Sequence, residues 1–228
     1  MHKFGLFLLT GLILAIVLPA PASAADSTAG ALPLSEQQTG PMITLLQDRL
    51  GWLGYPIDKG EYGASLFGTS TTGNVKDFQT KFFINPTGVV DGPTWIELRR
   101  LSEPRGELPI ACTEVTSICI SLEQKILRYV VGGKVQMSAD ARFGVSGQRT
   151  SPGSYQVYWK SRDHVSSRFQ TPMPFSLFYD GDQAVHYSPY FQADGYLGGS
   201  HGCVNLRDLN KAAWLFKKAG RGTRIYIY

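Results

Sequence analysis

The sequence predicts two domains: a small all-α unit of three helices, then a mostly β, β-sandwich-like domain with one helix after its cysteine-bearing loop. Three observations carry this. Apolar residues recur at helical spacing through residues 41–101, strand-length apolar runs separated by glycine turns fill 112–228, and a polar, proline-bearing linker over 102–111 divides them. With 43% hydrophobic and 18% charged residues, the chain has enough apolar side chain for packed cores and too little charge for a disordered one.

The elements follow in order. Residues 1–24 read as a removable signal peptide: Lys3, an uncharged run from Phe4 to Leu18, then Ala22-Ser23-Ala24. That run is short for a bilayer span, which needs about 20 residues. The chain is therefore expected to be exported, to the cell wall, periplasm or exterior. Residues 25–40, rich in Ala, Ser, Thr, Gly and Gln, read as a flexible spacer. Ile43, Leu46, Leu50 and Leu53 form the stripe of a first helix that stops at Gly54. Val75, Phe78 and Phe82 mark a second, and Trp95, Leu98 and Leu101 a third, with glycine-rich loops between.

Beyond the linker, strands are expected at 118–121, 126–131, 134–139, 155–160, 175–179, 185–187 and 224–228. Gly132-Gly133 suits a two-residue hairpin turn, which needs positive φ. One helix interrupts the series, with Leu209, Ala213 and Phe216 on one face, Asp208 as its cap and Gly220 at its end.

The net charge is +4 with no block of Lys or Arg, so a nucleic-acid partner is not expected; the chain is expected to be a monomer. There are three cysteines, an odd number. In an exported protein the simplest use of Cys112 and Cys119 is a local disulfide, which leaves Cys203 free.

Cys203 lies two residues after His201 and within 17 residues of His186. A thiol needs a nearby base or positive charge to become a thiolate at neutral pH, and an imidazole supplies both. A glycine beside it, Gly202, lets backbone N–H groups approach a developing oxyanion. Zinc is the rival use of His186, His201 and Cys203, but no fourth ligand stands out, so no metal is expected, and covalent catalysis by a thiol requires no organic cofactor. Papain-like and wall-amidase cysteine enzymes place Cys before His, the reverse of the order here. Sortases put His first, at a much longer separation.

His186 followed by Ser200-His201-Gly202-Cys203-Val204-Asn205 resembles the signature of L,D-transpeptidase catalytic domains of the YkuD type. Thr150-Ser151-Pro152-Gly153 is similar to a segment that precedes a strand in that family. The 13 residues between His186 and Ser200 are one fewer than usual, consistent with a loop deletion. The resemblance implies Cys203 as nucleophile and His186 as the base, oriented by the backbone carbonyl of Tyr187. It implies an oxyanion hole from backbone N–H groups around His201, Gly202 and Cys203, with Ser200, Asn205 and Arg207 holding the loop or the substrate.

It further implies an exported peptidoglycan enzyme that forms 3-3 cross-links through a Cys thioester on a tetrapeptide stem. Peptidoglycan stem peptides would be its partners and carbapenem-type inhibitors would acylate Cys203. L,D-carboxypeptidase action and non-catalytic peptidoglycan binding are the alternatives. In the helical unit, Leu46-Gln47, Leu53-Gly54-Tyr55, Phe67-Gly68, Phe78-Gln79, Val90-Asp91-Gly92 and Thr94-Trp95 resemble the small peptidoglycan-binding domain fused to many wall enzymes.

Overall fold

The computed structural model describes residues 32–104, 107–145 and 147–228. The expected signal peptide and the spacer as far as residue 31 lie outside the described residues.

The helical unit contains α1 (Pro41–Trp52), α2 (Lys59–Gly63), α3 (Thr69–Lys81) and α4 (Gly92–Ser102). The three long helices are those the apolar stripes predict. Ile43, Leu46, Leu50, Leu53, Val75, Phe78, Trp95, Leu98 and Leu101 all meet in one core. The five-residue α2 sits where a loop is expected, and its reason is polar. Asp58 caps it by accepting from Gly60 N and Glu61 N, and Glu61 in turn accepts from Ser70 N (2.7 Å) and Thr71 N (2.8 Å) at the start of α3.

Residues 32–40 are not spacer, a correction to the composition-based reading. Leu34 is buried in the helical core and exchanges two backbone hydrogen bonds with Val90 (3.0 and 2.9 Å), and Gln37 N donates to Phe67 O (2.9 Å).

After α5 (Ile110–Thr113) come nine strands: β1 (Ser117–Ser121), β2 (Ile126–Val131), β3 (Lys134–Arg142), β4 (Gly153–Gln156), β5 (Trp159–Val165), β6 (Pro172–Asp180), β7 (Gln183–Tyr187), β8 (Val204–Leu206) and β9 (Arg224–Ile227). They form one sheet in the order β4-β9-β1-β2-β3-β8-β7-β6-β5. The sheet curls, so Tyr155 of β4 meets Tyr179 of β6 at 5.1 Å between ring centroids. Its halves face each other across one core, where Ile118, Leu127 and Ile225 pack with Leu177, Val185, Val204 and Leu206. This curled sheet produces the sandwich-like packing.

Three details depart from the sequence reading. The run 155–160 is split between two strands that pair differently, β4 with β9 and β5 with β6. Strand β8 and helix α6 (Pro189–Asp194) were not legible as elements. In α7 (Leu209–Lys218) the buried face holds Ala212 and Leu215, while Leu209 is exposed; Asp208 does cap it, accepting from Lys211 N at 3.0 Å. Cys112 of α5 and Cys119 of β1 form a disulfide.

The two units are docked directly. Arg128 donates to Trp52 O (2.7 Å) with its guanidinium 4.3 Å from the Trp52 ring centroid, Lys125 Nζ donates to Lys81 O (2.9 Å), and Lys81 Nζ pairs with Asp140 (2.7 Å).

Candidate active site

Strands β7 and β8 run parallel and pair His186 with Asn205. Residues two apart on one strand share a face, so Cys203, just before β8, points to the side occupied by His186 and Asn205. All three line one cleft of about 440 Å³. Its other walls include His164, Trp159, Phe169, Asp182, Ser200 and His201.

His186 is 6% exposed. Its Nδ1 is 2.6 Å from Tyr187 O, the orienting contact expected from the sequence, and its Nε2 is 2.9 Å from Asn205 Nδ2. A carbonyl can only accept, so Nδ1 carries the proton and Nε2 is a free base accepting from the Asn205 amide. Burial pushes the His186 pKa down to about 4, partly opposed by the Tyr187 carbonyl. The ring is therefore neutral at physiological pH, as a base must be.

The Cys203 thiol donates to Asp182 O at 3.8 Å. Burial raises its pKa, the Ala184 N–H favours the thiolate, and the Asp182 charge opposes it. At rest a neutral thiol and a neutral imidazole line the same cleft.

The loop carrying Cys203 is held from below. Ser200 Oγ donates to Cys203 O (2.6 Å) and accepts from Gly202 N (3.2 Å). The expectation that the Gly202 N–H serves an oxyanion is thereby corrected, because that donor is spent inside the loop. Thr150 Oγ1 donates to Gly202 O (2.8 Å) and accepts from Gly144 N (3.1 Å), strapping the loop to the chain after β3. Gly202 has φ +108°, and a Cβ there would come within 3.0 Å of Gln183 Nε2. Gly144 is equally constrained, since its Cβ would lie 2.9 Å from the Gly202 backbone.

His201 stacks on Phe169, with ring centroids 3.9 Å apart. Arg207 leaves the cleft altogether: its guanidinium bonds Asp140 at the contact between the units, so it holds neither catalytic loop nor cleft ligand. The reading missed Arg142, Asp182 and Phe169, which reach the cleft from other strands and loops and carry no local motif. Among the described residues no cluster of three or more His, Cys, Asp or Glu side chains forms a metal site.

A histidine and a cysteine share one cleft on a curled β sheet, the two groups that acyl transfer by a thiol would need. Residues 116–227 match the family model for the L,D-transpeptidase catalytic domain (YkuD), and residues 39–98 that for a peptidoglycan binding domain. The β domain is an L,D-transpeptidase catalytic domain of the YkuD family, and the helical domain before it is of the peptidoglycan-binding type. Among solved structures, an L,D-transpeptidase from Xylanimonas cellulosilytica is 27% identical with a TM-score of 0.50, covering 86% of this chain and 97% of that one. An L,D-transpeptidase from Stackebrandtia nassauensis is 20% identical with a TM-score of 0.56 over 87% and 97%, a likeness of fold. No match was found among curated proteins.

Proposed function

We propose that this protein is an exported, cell-wall-associated peptidoglycan L,D-transpeptidase that works through Cys203. The observation that supports it most is the buried, neutral His186 with its Nε2 turned to the face that Cys203 shares.

In the proposed reaction, His186 Nε2 takes the thiol proton as the sulfur attacks the carbonyl between the L-centre of a diamino acid and the terminal D-Ala of a tetrapeptide stem. The backbone N–H groups of His201 and Cys203 hold the oxyanion. On collapse the C–N bond breaks, the imidazolium returns its proton to the D-Ala amine, and a thioester remains. The side-chain amine of a second stem then attacks the thioester, His186 takes the amine proton, and the sulfur leaves and is reprotonated. The product is a 3-3 cross-link. Covalent catalysis divides one difficult amide exchange into two easier steps. A carbapenem presents a strained carbonyl to the same sulfur and would acylate it. The helical domain would hold the enzyme on its polymeric substrate.

The test is incubation of the mature protein with disaccharide-tetrapeptide and mass analysis. Loss of D-Ala with dimer formation is expected. Tripeptide alone would assign L,D-carboxypeptidase action, and unchanged substrate would leave only peptidoglycan binding.

A further inference from the structure

Three neighbouring strands bring one residue each into a row across the cleft floor. Arg142 of β3 pairs with Asn205 of β8, and Asn205 with His186 of β7. Directly paired residues project from the same face about 5 Å apart, so a guanidinium stands two strands from the proposed base. Arg142 is 5% exposed. Its Nη1 donates to Gly195 O (2.9 Å), its Cζ lies 4.9 Å from the Phe191 ring centroid, and its buried Nε has no partner. Arg142 lines the cleft with Cys203 and His186, and Asp194 acts on its charge from the same wall. A buried cation with unused donors is costly unless an anion completes it. A planar fork of N–H groups fits a carboxylate through two parallel hydrogen bonds.

We propose that Arg142 binds a carboxylate of the donor stem peptide and so selects which stems are presented to Cys203. This rests on the transpeptidase reading above. A tetrapeptide stem offers two such groups near the scissile bond: the C-terminal carboxylate of the leaving D-residue, and the side-chain carboxylate of a dicarboxylic diamino acid. Either satisfies the same chemistry, and amidation distinguishes them.

The experiment compares three tetrapeptides: the free acid, its C-terminal amide, and the form amidated on the diamino acid. Binding is measured by calorimetry on Cys203→Ala protein with and without Arg142→Gln, and D-Ala release on the Cys203 protein. The expected result is that one amide binds roughly 10- to 100-fold more weakly than the acid, and that Arg142→Gln abolishes this difference. Arg142→Lys, which keeps the charge but not the fork, should fall between. Equal binding of acid and amides, no binding of any, or a difference that survives Arg142→Gln would overturn the proposal. Melting temperatures of the variants separate this from a purely structural role, which would weaken all three peptides alike. Selective binding without D-Ala release would reject the transpeptidase reading and keep the Arg142 site; release without selectivity would reject the Arg142 site alone.

Discussion

The ring nitrogen of His186 that faces the cleft is already occupied: Nε2 lies 2.9 Å from Asn205 Nδ2, while the thiol of Cys203 is bonded to the Asp182 carbonyl. The amide donates to the neutral ring and fixes its orientation; because Nε2 has a single lone pair, the amide must release it before the nitrogen takes the thiol proton in the proposed reaction.

Replacing Asn205 by Ala should slow acylation by roughly 3- to 30-fold, the equivalent of about 1–2 kcal/mol for one hydrogen bond to the reacting base. Asn205→Asp should act differently. Its carboxylate raises the His186 pKa, so the acid limb of the acylation rate moves to higher pH. Stopped-flow acylation across pH 4 to 8 checks both, and an unmoved limb in Asn205→Asp would contradict the contact.

Burial of neutral His186 also links stability to pH. Its folded pKa of about 4 lies below the value of about 6.5 expected in the unfolded chain, so between these the unfolded state binds the proton and the folded state does not. Stability from this group is complete above pH 6.5 and falls as the pH drops toward 4, by about 3 kcal/mol in all. Urea unfolding at pH 4.5 and 7.5 should show the loss in the wild type, with a smaller one in His186→Gln.

Asp140 joins the two units, accepting from Lys81 Nζ at 2.7 Å and from Arg207. Burial works to raise its pKa, but the charges of Lys81 and Arg207 hold it below the usual carboxylate range. Asp140→Ala strands a buried lysine and should cost about 3–5 kcal/mol. Differential scanning calorimetry should show a lowered transition, and Lys81→Met with Asp140→Ala should recover part of the loss.

The Cys112–Cys119 disulfide closes a short loop between α5 and β1, so replacing both cysteines by Ser should cost about 2–3 kcal/mol. Cys203 lies in a different part of the sheet, and its alkylation rate should change little. Mass analysis of the non-reduced wild type after iodoacetamide should show one modified thiol, at Cys203.

Local spacing located the long helices and the Gly132-Gly133 hairpin, and the motif around Cys203 with His186 before it marked the candidate nucleophile and base. Helical stripes are short-range patterns: Leu46 and Leu50 face the same way whatever lies opposite. The cluster from Ser200 to Asn205 is equally local, since its glycine, histidine and cysteine are consecutive. Tertiary structure decided what these residues do to one another. Strand β8 is only three residues long and exists because β3 and β7 flank it, a pairing no propensity announces. That pairing sets Arg142, Asn205 and His186 side by side although 63 and 19 positions separate Asn205 from its two neighbours in the sequence. Arg207 bonds Asp140 instead of lining the cleft: β8 ends at Leu206, so the alternation that sets Cys203 and Asn205 on one face does not extend to it. Sequence named the candidate nucleophile and base; the sheet decided which charges stand beside them.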